Sequence, residues 1–316
     1  MLESLYFMLH SLEMSFDPFS DILRLANPQS VVSGDFTAGG DWAVEFAPKD
    51  RIKFLAVTKG WCWLRVYNQE EPLRFEAGDL LLFSQYPVTL ASRLDVPVVD
   101  GDTLEPAVKA SSKTLGIGED FTLLGGYIQL EPSNIDVMAD ILPPVLHIPS
   151  SVQDTEDFRW LVRQLIEEKE SGLPGQNLAA NHIAQLIFIH VLRLQLQKPD
   201  IRNVSWLKAA VDIKLRPAIE LMHNQPERSW TLQELARACS MSRASFSAYF
   251  KRQVGITPFA YLAQWRMRLA GQALRSSHVT IALLAQQCGY QSESAFSNAF
   301  KAHMGMSPRY YRNGKP

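Results

Sequence analysis

Cysteine is scarce in this chain: three residues in 316, none at a paired spacing. That argues against a disulfide framework and for a reducing compartment, so a cytoplasmic setting is expected. No run of eighteen apolar residues occurs, so no membrane span is expected. The first thirteen residues, Met1 to Glu13, have no basic flank and no small-residue cleavage pattern, which argues against a secretory signal. Met14 reads as an alternative start, and residues 1–13 are expected to be disordered or untranslated. Histidine is missing from residues 11–146; the seven are His10, His147, His182, His190, His223, His278 and His303.

A formal net charge of −2 conceals a strong asymmetry. From Lys208 onward there are 15 Lys and Arg against 5 Asp and Glu, whereas residues 1–207 carry 16 against 28. One half of the chain is therefore suited to a polyanion and the other is not. Short apolar or alternating runs broken by glycine turns fill residues 30–130. They include Phe54–Val57, Trp61–Tyr67 and Asp79–Phe83, and they predict an antiparallel sandwich or barrel.

Beyond Pro143-Pro144 the pattern turns helical over Asp157–Lys169 and Asn177–Gln197. The second of these helices is apolar on most faces, so either another layer of the chain or a partner chain buries it. The expected organisation is α+β: residues 1–150 β-rich, 151–198 helical, 199–205 a linker, and 206–316 all-α.

The most informative feature is an internal repeat. Leu232–Cys239, a short turn, Arg243–Lys251 and Gly255-Ile-Thr-Pro258 recur as Ile281–Cys288, a turn one residue longer, Glu293–Lys301 and Gly305-Met-Ser-Pro308. Thr231 with Glu234 makes a capping box, and Thr280, Ser242 and Ser292 stand at the other helix starts. Phe246/Phe250 and Phe296/Phe300, four apart, each put one aromatic stripe on a second helix and leave its other face free. Gly255 and Gly305 suit left-handed helix ends, and Thr257-Pro258 and Ser307-Pro308 restart the chain. Each copy reads as a helix-turn-helix. The helix between them, Phe259 to about Leu274, spans ~24 Å at 1.5 Å per residue, enough to hold two recognition helices about one duplex turn apart.

These residues resemble the AraC-type transcription regulators over Trp206–Arg312, most specifically in Gly289–Lys301 and Gly305–Tyr311. The resemblance implies a bipartite DNA-binding domain that uses both recognition helices, with double-stranded promoter DNA and RNA polymerase as partners. Carried over by position, base contacts fall to Arg243, Ala244, Ser247 and Ala248 in the first helix. In the second they fall to Glu293, Ser294, Ala295, Ser297 and Asn298. Lys251, Arg252, Ser292, Lys301 and Arg309 are expected to touch phosphate, which positions without specifying. Arg266 and Arg268, on the connecting helix, are open between an intrachain ion pair and DNA.

Residues 17–196 resemble, more loosely, the cupin-like sensor domain found in one branch of these regulators. The resembling stretches include Asp17–Leu23, Lys53–Val57, Gly60–Leu64 and Ala77–Leu80. That resemblance implies a small barrel, a helical pair that makes a homodimer, and a pocket for a small-molecule effector. The pocket candidates are Trp42, Phe54, Trp61, Trp63 and Tyr67, aromatics that serve equally well as barrel filling. Metal-dependent cupins need two or three histidines with a carboxylate, and the barrel segment has no such set, so neither a metal nor any other cofactor is expected, and no catalysis. His182 and His190 read as core histidines, and Cys239 and Cys288 as packing residues at matching repeat positions. The reading is a cytoplasmic regulator, with a purely dimerising barrel and a cupin enzyme carrying a DNA-binding tail as its rivals.

Overall fold

The computed structural model describes residues 17–48, 51–67, 69–104, 112–130, 142–151, 156–197, 209–276 and 278–313. The expectations for residues 1–13 and for the linker at 199–205 lie outside the described residues. The chain divides into two compact units, one of residues 26–202 and one of residues 203–316 with residues 1–25.

The first unit is built on two sheets. One has the order β11-β6-β3-β10-β1-β9 and the other β5-β4-β7-β2-β8. The strands are β1 (Gln29–Gly39), β2 (Ala43–Phe46), β3 (Ile52–Lys59), β4 (Trp61–Val66), β5 (Leu73–Glu76), β6 (Leu80–Phe83), β7 (Val88–Ala91), β8 (Val99–Asp100), β9 (Ser112–Gly116), β10 (Phe121–Gln129) and β11 (Val145–Ile148). Pairing is mostly antiparallel, with β1–β9 and β2–β8 parallel.

Period-two alternation aims one side of each strand inward. Phe36, Ala38, Leu55, Val57, Leu81, Phe83, Phe121 and Leu123 from the six-stranded sheet meet Val44, Cys62, Leu64, Val66, Phe75, Val88 and Leu90 from the other. The facing of Trp61–Tyr67, ambiguous from sequence, is thereby resolved: Cys62, Leu64 and Val66 point in and the aromatics point out. Burial pushes the Cys62 thiol far above the usual range, so it stays protonated and inert.

Two helices complete this unit, α2 (Glu156–Glu170) and α3 (Gln176–Gln197), within a residue of the sequence expectation. Helix α3 packs on β1 and α2, burying Ala180, Ala184, Ile187, Phe188, Val191, Leu192 and Gln195. A register irregularity in β1 between Val32 and Gly34 breaks the ladder there. Asn181 of α3 repairs it, its side-chain oxygen accepting from the Val32 N–H at 2.9 Å. The expectation that His182 sits in the core fails. It lies on the exposed side of α3, because the buried arc runs through Ala180, Ala184 and Ile187 instead. His190 is half-buried.

The second unit is helical: α4 (Arg216–Asn224), α5 (Leu232–Ala238), α6 (Arg243–Val254), α7 (Pro258–Ser276), α8 (Ile281–Gln287), α9 (Glu293–Met304) and α10 (Pro308–Arg312). Helix α1 (Pro18–Ala26) falls, up to Leu25, in the same compact unit as these helices. Asp17 starts it by accepting from the Phe19 N–H at 3.1 Å, and Pro18 fits the first turn. Phe19, Ile22 and Leu23 are buried.

On α1, the Asp21 carboxylate meets His223 Nδ1 at 3.4 Å, while His223 Nε2 lies 2.9 Å from the Tyr261 hydroxyl. The imidazole stacks on Trp265 with ring centroids 3.8 Å apart. Burial holds the His223 pKa below its usual range, against the opposing pull of Asp21. Burial thus favours the neutral ring, and the carboxylate beside Nδ1 favours the tautomer that carries its proton there.

Candidate nucleic-acid interface

Local signals in the repeat are met one by one. The Thr231 hydroxyl accepts from the Glu234 N–H, and the Glu234 carboxylate accepts from the Thr231 N–H at 2.8 Å, closing the capping box of α5. Ser242, Thr280, Ser292 and Ser307 cap α6, α8, α9 and α10 by the hydroxyl bond alone, each accepting from the N–H three residues on. Gly255 and Gly305 end α6 and α9 in the left-handed conformation, at φ 79° and 76°. In the turns, Ser240 (φ 54°) and Gly289 (φ 74°) occupy matching positions, so the two units bend alike before the second takes its extra residue.

Each unit has its own apolar seat. Phe296 and Phe300 are fully buried with Met267, Ala270, Leu274, Leu284, Ala285, Cys288 and Tyr311. In the first unit Phe246 and Phe250 are likewise fully buried, and Phe250 meets Tyr261 edge-on at 5.7 Å. Burial pushes the Cys288 thiol up to about 12, in keeping with packing rather than redox chemistry.

These seats fix what faces outward. On α6, Arg243, Ala244, Ala248, Lys251 and Arg252 are exposed and Ser247 is half-buried; on α9, Glu293, Ser294, Ala295, Asn298 and Lys301 are exposed and Ser297 is half-buried. Ser292 and Arg309 are exposed as well. The nominated residues thus form two similar outward faces, small and polar along the middle and cationic toward the helix C-termini. The Ser292 oxygen accepts from Ala295 N–H, which leaves its hydroxyl proton to donate outward.

Two features escaped the sequence reading. Tyr249, between the two sides of α6, donates to Asp212 Oδ2 at 2.9 Å, with the Arg252 guanidinium over its ring at 5.1 Å. Arg266 has no carboxylate partner among the described residues. It donates to two main-chain carbonyls, those of Pro226 and Arg228.

The five pocket candidates are not brought together. Trp42 is packed in the barrel core against Phe121, at 5.0 Å, and Phe54 lies on the other side of the six-stranded sheet, over Gly126. Trp61 and Tyr67 are 44% and 61% exposed on the outer side of β4, and Trp63 meets Trp61 edge-on at 5.6 Å. Among the described residues, no group of three His, Cys, Asp or Glu could hold a metal ion, and no helix is long and apolar enough to cross a membrane.

Comparison with known proteins adds a cupin family model matching residues 17–197 and a helix-turn-helix domain model matching residues 235–314. A putative AraC-like transcription regulator of Streptomyces antibioticus is 35% identical over 297 residues, covering 94% of this chain and 98% of its own. The transcriptional regulator AlkR of Acinetobacter baylyi is 36% identical over 194 residues, 59% of this chain and 63% of its own. A solved AraC-type DNA-binding regulator from Chromobacterium violaceum is 28% identical, covering 33% of this chain and 94% of its own, with a TM-score of 0.31.

Proposed function

The chain belongs to the AraC-like transcription regulators, a DNA-binding and non-enzymatic family, and from that footing we propose that it binds promoter duplex through α6 and α9 as a homodimer. The carrying observation is the pair of matched outward faces, each backed by a fully buried phenylalanine stripe. Two helices presented in this way suit successive major grooves on one side of a duplex.

The base-reading set is Arg243, Ala244, Ser247 and Ala248 on α6, and Glu293, Ser294, Ala295, Ser297 and Asn298 on α9. Arg243 offers a bidentate donor pair for guanine, Asn298 a donor and acceptor for adenine, Glu293 an acceptor for the cytosine amine, and the alanines methyl contact with thymine. Lys251, Arg252, Ser292, Lys301 and Arg309 hold the phosphates on either side.

The function is tested by selecting duplexes from a random pool with the full chain. Asn298→Ala is expected to relax preference at one base pair by roughly 1–3 kcal/mol while binding to unrelated duplexes stays unchanged. Equal loss on every duplex would show that Asn298 reads nothing.

Dimerisation is assigned to α3. Its inner side is satisfied by β1 and α2, yet Leu178 and Leu186 remain 63% and 49% exposed on the outer side, and Trp160 on α2 is 55% exposed. Apolar side chains at this spacing on a helix already docked on one side suit a second copy of the same helix. Leu186→Glu is therefore expected to convert the dimer to monomer in analytical ultracentrifugation, with the thermal midpoint little changed. A variant that remains dimeric would move the seam elsewhere.

Of the roles open to the barrel, dimer support suits the burial pattern better than ligand capture, since Trp42 is spent on the packed core and Trp61 and Tyr67 face outward. Effector control in the barrel would require one arrangement of the dimer to bind ligand better than the other. A metabolite that both raises the melting temperature and shifts promoter affinity would establish it. RNA polymerase is the partner through which such a regulator acts, which places its work in the cytoplasm.

A further inference from the structure

The connecting helix α7 does more than separate the two helix-turn-helix units. Arg266, near its middle, turns its guanidinium onto the loop that precedes the first unit. Nε donates to the Pro226 carbonyl and Nη2 to the Arg228 carbonyl, the latter at 2.9 Å. The main-chain carbonyl of the same residue accepts from the Cys288 thiol of the second unit at 3.6 Å.

The second unit also touches that loop directly. Gly289, in the turn between α8 and α9, sits so close that an added Cβ would lie 2.4 Å from the Glu227 carbonyl oxygen and 3.0 Å from Arg266 Nη2. At φ +74° the position also favours glycine. The turn of one unit is thus seated against the entry loop of the other, with the guanidinium wedged between them.

The entry loop is itself tied down. Arg228 pairs with Glu234 at 2.7 Å and lies over the Trp230 ring at 4.0 Å, while the Trp230 indole N–H donates to the Gln225 carbonyl at 3.1 Å. Glu234 is the capping-box residue of α5. A continuous chain of polar contacts therefore runs from the first helix of one reader to the turn of the other, and Arg266 is its central link.

We propose that Arg266 is a positioning residue that fixes the rotation and separation of α6 relative to α9, and so sets the one spacing between half-sites that this regulator accepts. It acts through the loop at 226–228 and Gly289, with no DNA contact of its own. Both of its side-chain bonds go to protein carbonyls, and charge-assisted bonds of this kind are short and directional. Half-site spacing is a geometric consequence of how two recognition helices are held. A device that locks their mutual setting therefore determines specificity without reading a base.

The inference rests on the DNA-reading role proposed above, and the test separates the two. The duplex selected by the full wild-type chain is remade with one or two base pairs inserted or removed between the two contacted segments, and duplexes holding one segment alone are made alongside. Wild type should lose affinity at every altered spacing.

Arg266→Met keeps the stem and removes the donors. It should bind the parent duplex about tenfold or more weakly, the size of one lost charge-assisted hydrogen bond, and bind all spacings nearly alike. Its affinity for single-segment duplexes should match wild type. Arg266→Lys, with one donor centre unable to serve both carbonyls in the same way, should fall between the two and carries the test if the methionine variant does not melt cooperatively.

An unchanged spacing profile in a folded variant overturns the inference while leaving the DNA-reading role intact. Equal loss on single-segment duplexes overturns it too, because Arg266 would then act within one unit or on DNA directly. Wild type with no preferred duplex at all would defeat the DNA-reading role itself.

Discussion

Replacing Phe300 with alanine is expected to cost about 3–5 kcal/mol of stability and to abolish selective duplex binding. Phe300 is fully buried at the centre of the second unit, 5.7 Å from the Phe296 ring and 5.3 Å edge-on to Tyr311. Around it are Met267, Ala270, Leu284 and Ala285, drawn from α7 and α8 as well as α9. Truncation therefore opens a cavity at a junction of four helices, since Tyr311 comes from α10.

A loss of this size is a large part of the total stability of an ordinary domain. The first unit keeps its separate seat of Phe246 and Phe250, so denaturant unfolding followed by hydrogen exchange should show α8 and α9 losing protection before α5 and α6. Undiminished affinity of Phe300→Ala for the selected duplex would mean that α9 is not held by its aromatic stripe.

The second large effect concerns salt. Lys251 and Lys301 occupy equivalent exposed positions one turn from the ends of α6 and α9. Each phosphate neutralised contributes about −0.9 to the slope of log affinity against log salt. The double change Lys251→Ala and Lys301→Ala should therefore flatten that slope by roughly 1.8, so that the advantage of 50 mM over 200 mM salt shrinks about tenfold. The loss should be the same on specific and random duplexes, in contrast to the change at Asn298. A double variant with an unaltered slope would move the phosphate contacts away from these two lysines.

Legibility followed the range of the interactions concerned. Caps, left-handed glycines and i, i+4 aromatic pairs are settled within a few residues, so Thr231 with Glu234, Gly255, Gly305 and the two phenylalanine stripes could be read in advance. The α+β class and the matched units were legible for the same reason.

The barrel was less so. Alternation in Trp61–Tyr67 shows that a strand has two faces, but which of them turns inward depends on β5 and β7 alongside it. An aromatic residue on a strand fits a core, an outer surface or a pocket equally well, so Trp42, Phe54, Trp61, Trp63 and Tyr67 could be grouped by type and yet lie in different places. For His182, apolar neighbours along the chain suggested a core position, but the arc facing β1 excludes it. Arg266 carried no local signal at all. Its partners, the loop at 226–228 and Gly289, lie tens of residues away on either side, and the closeness of Gly289 to Glu227 adds a long-range reason for glycine to the local one of its positive φ.

The docking of α1 onto His223 and Trp265 has a consequence for the order of events during synthesis. Asp21 and His223 are 202 positions apart, so at 5–20 residues per second the ribosome needs roughly 10–40 s to supply the second after the first. Throughout that interval the apolar side of α1, with Phe19, Ile22 and Leu23, waits without its companion while the whole barrel emerges and folds. The DNA reader is thus sealed by a segment synthesised well before it, with the strands of the barrel made in between.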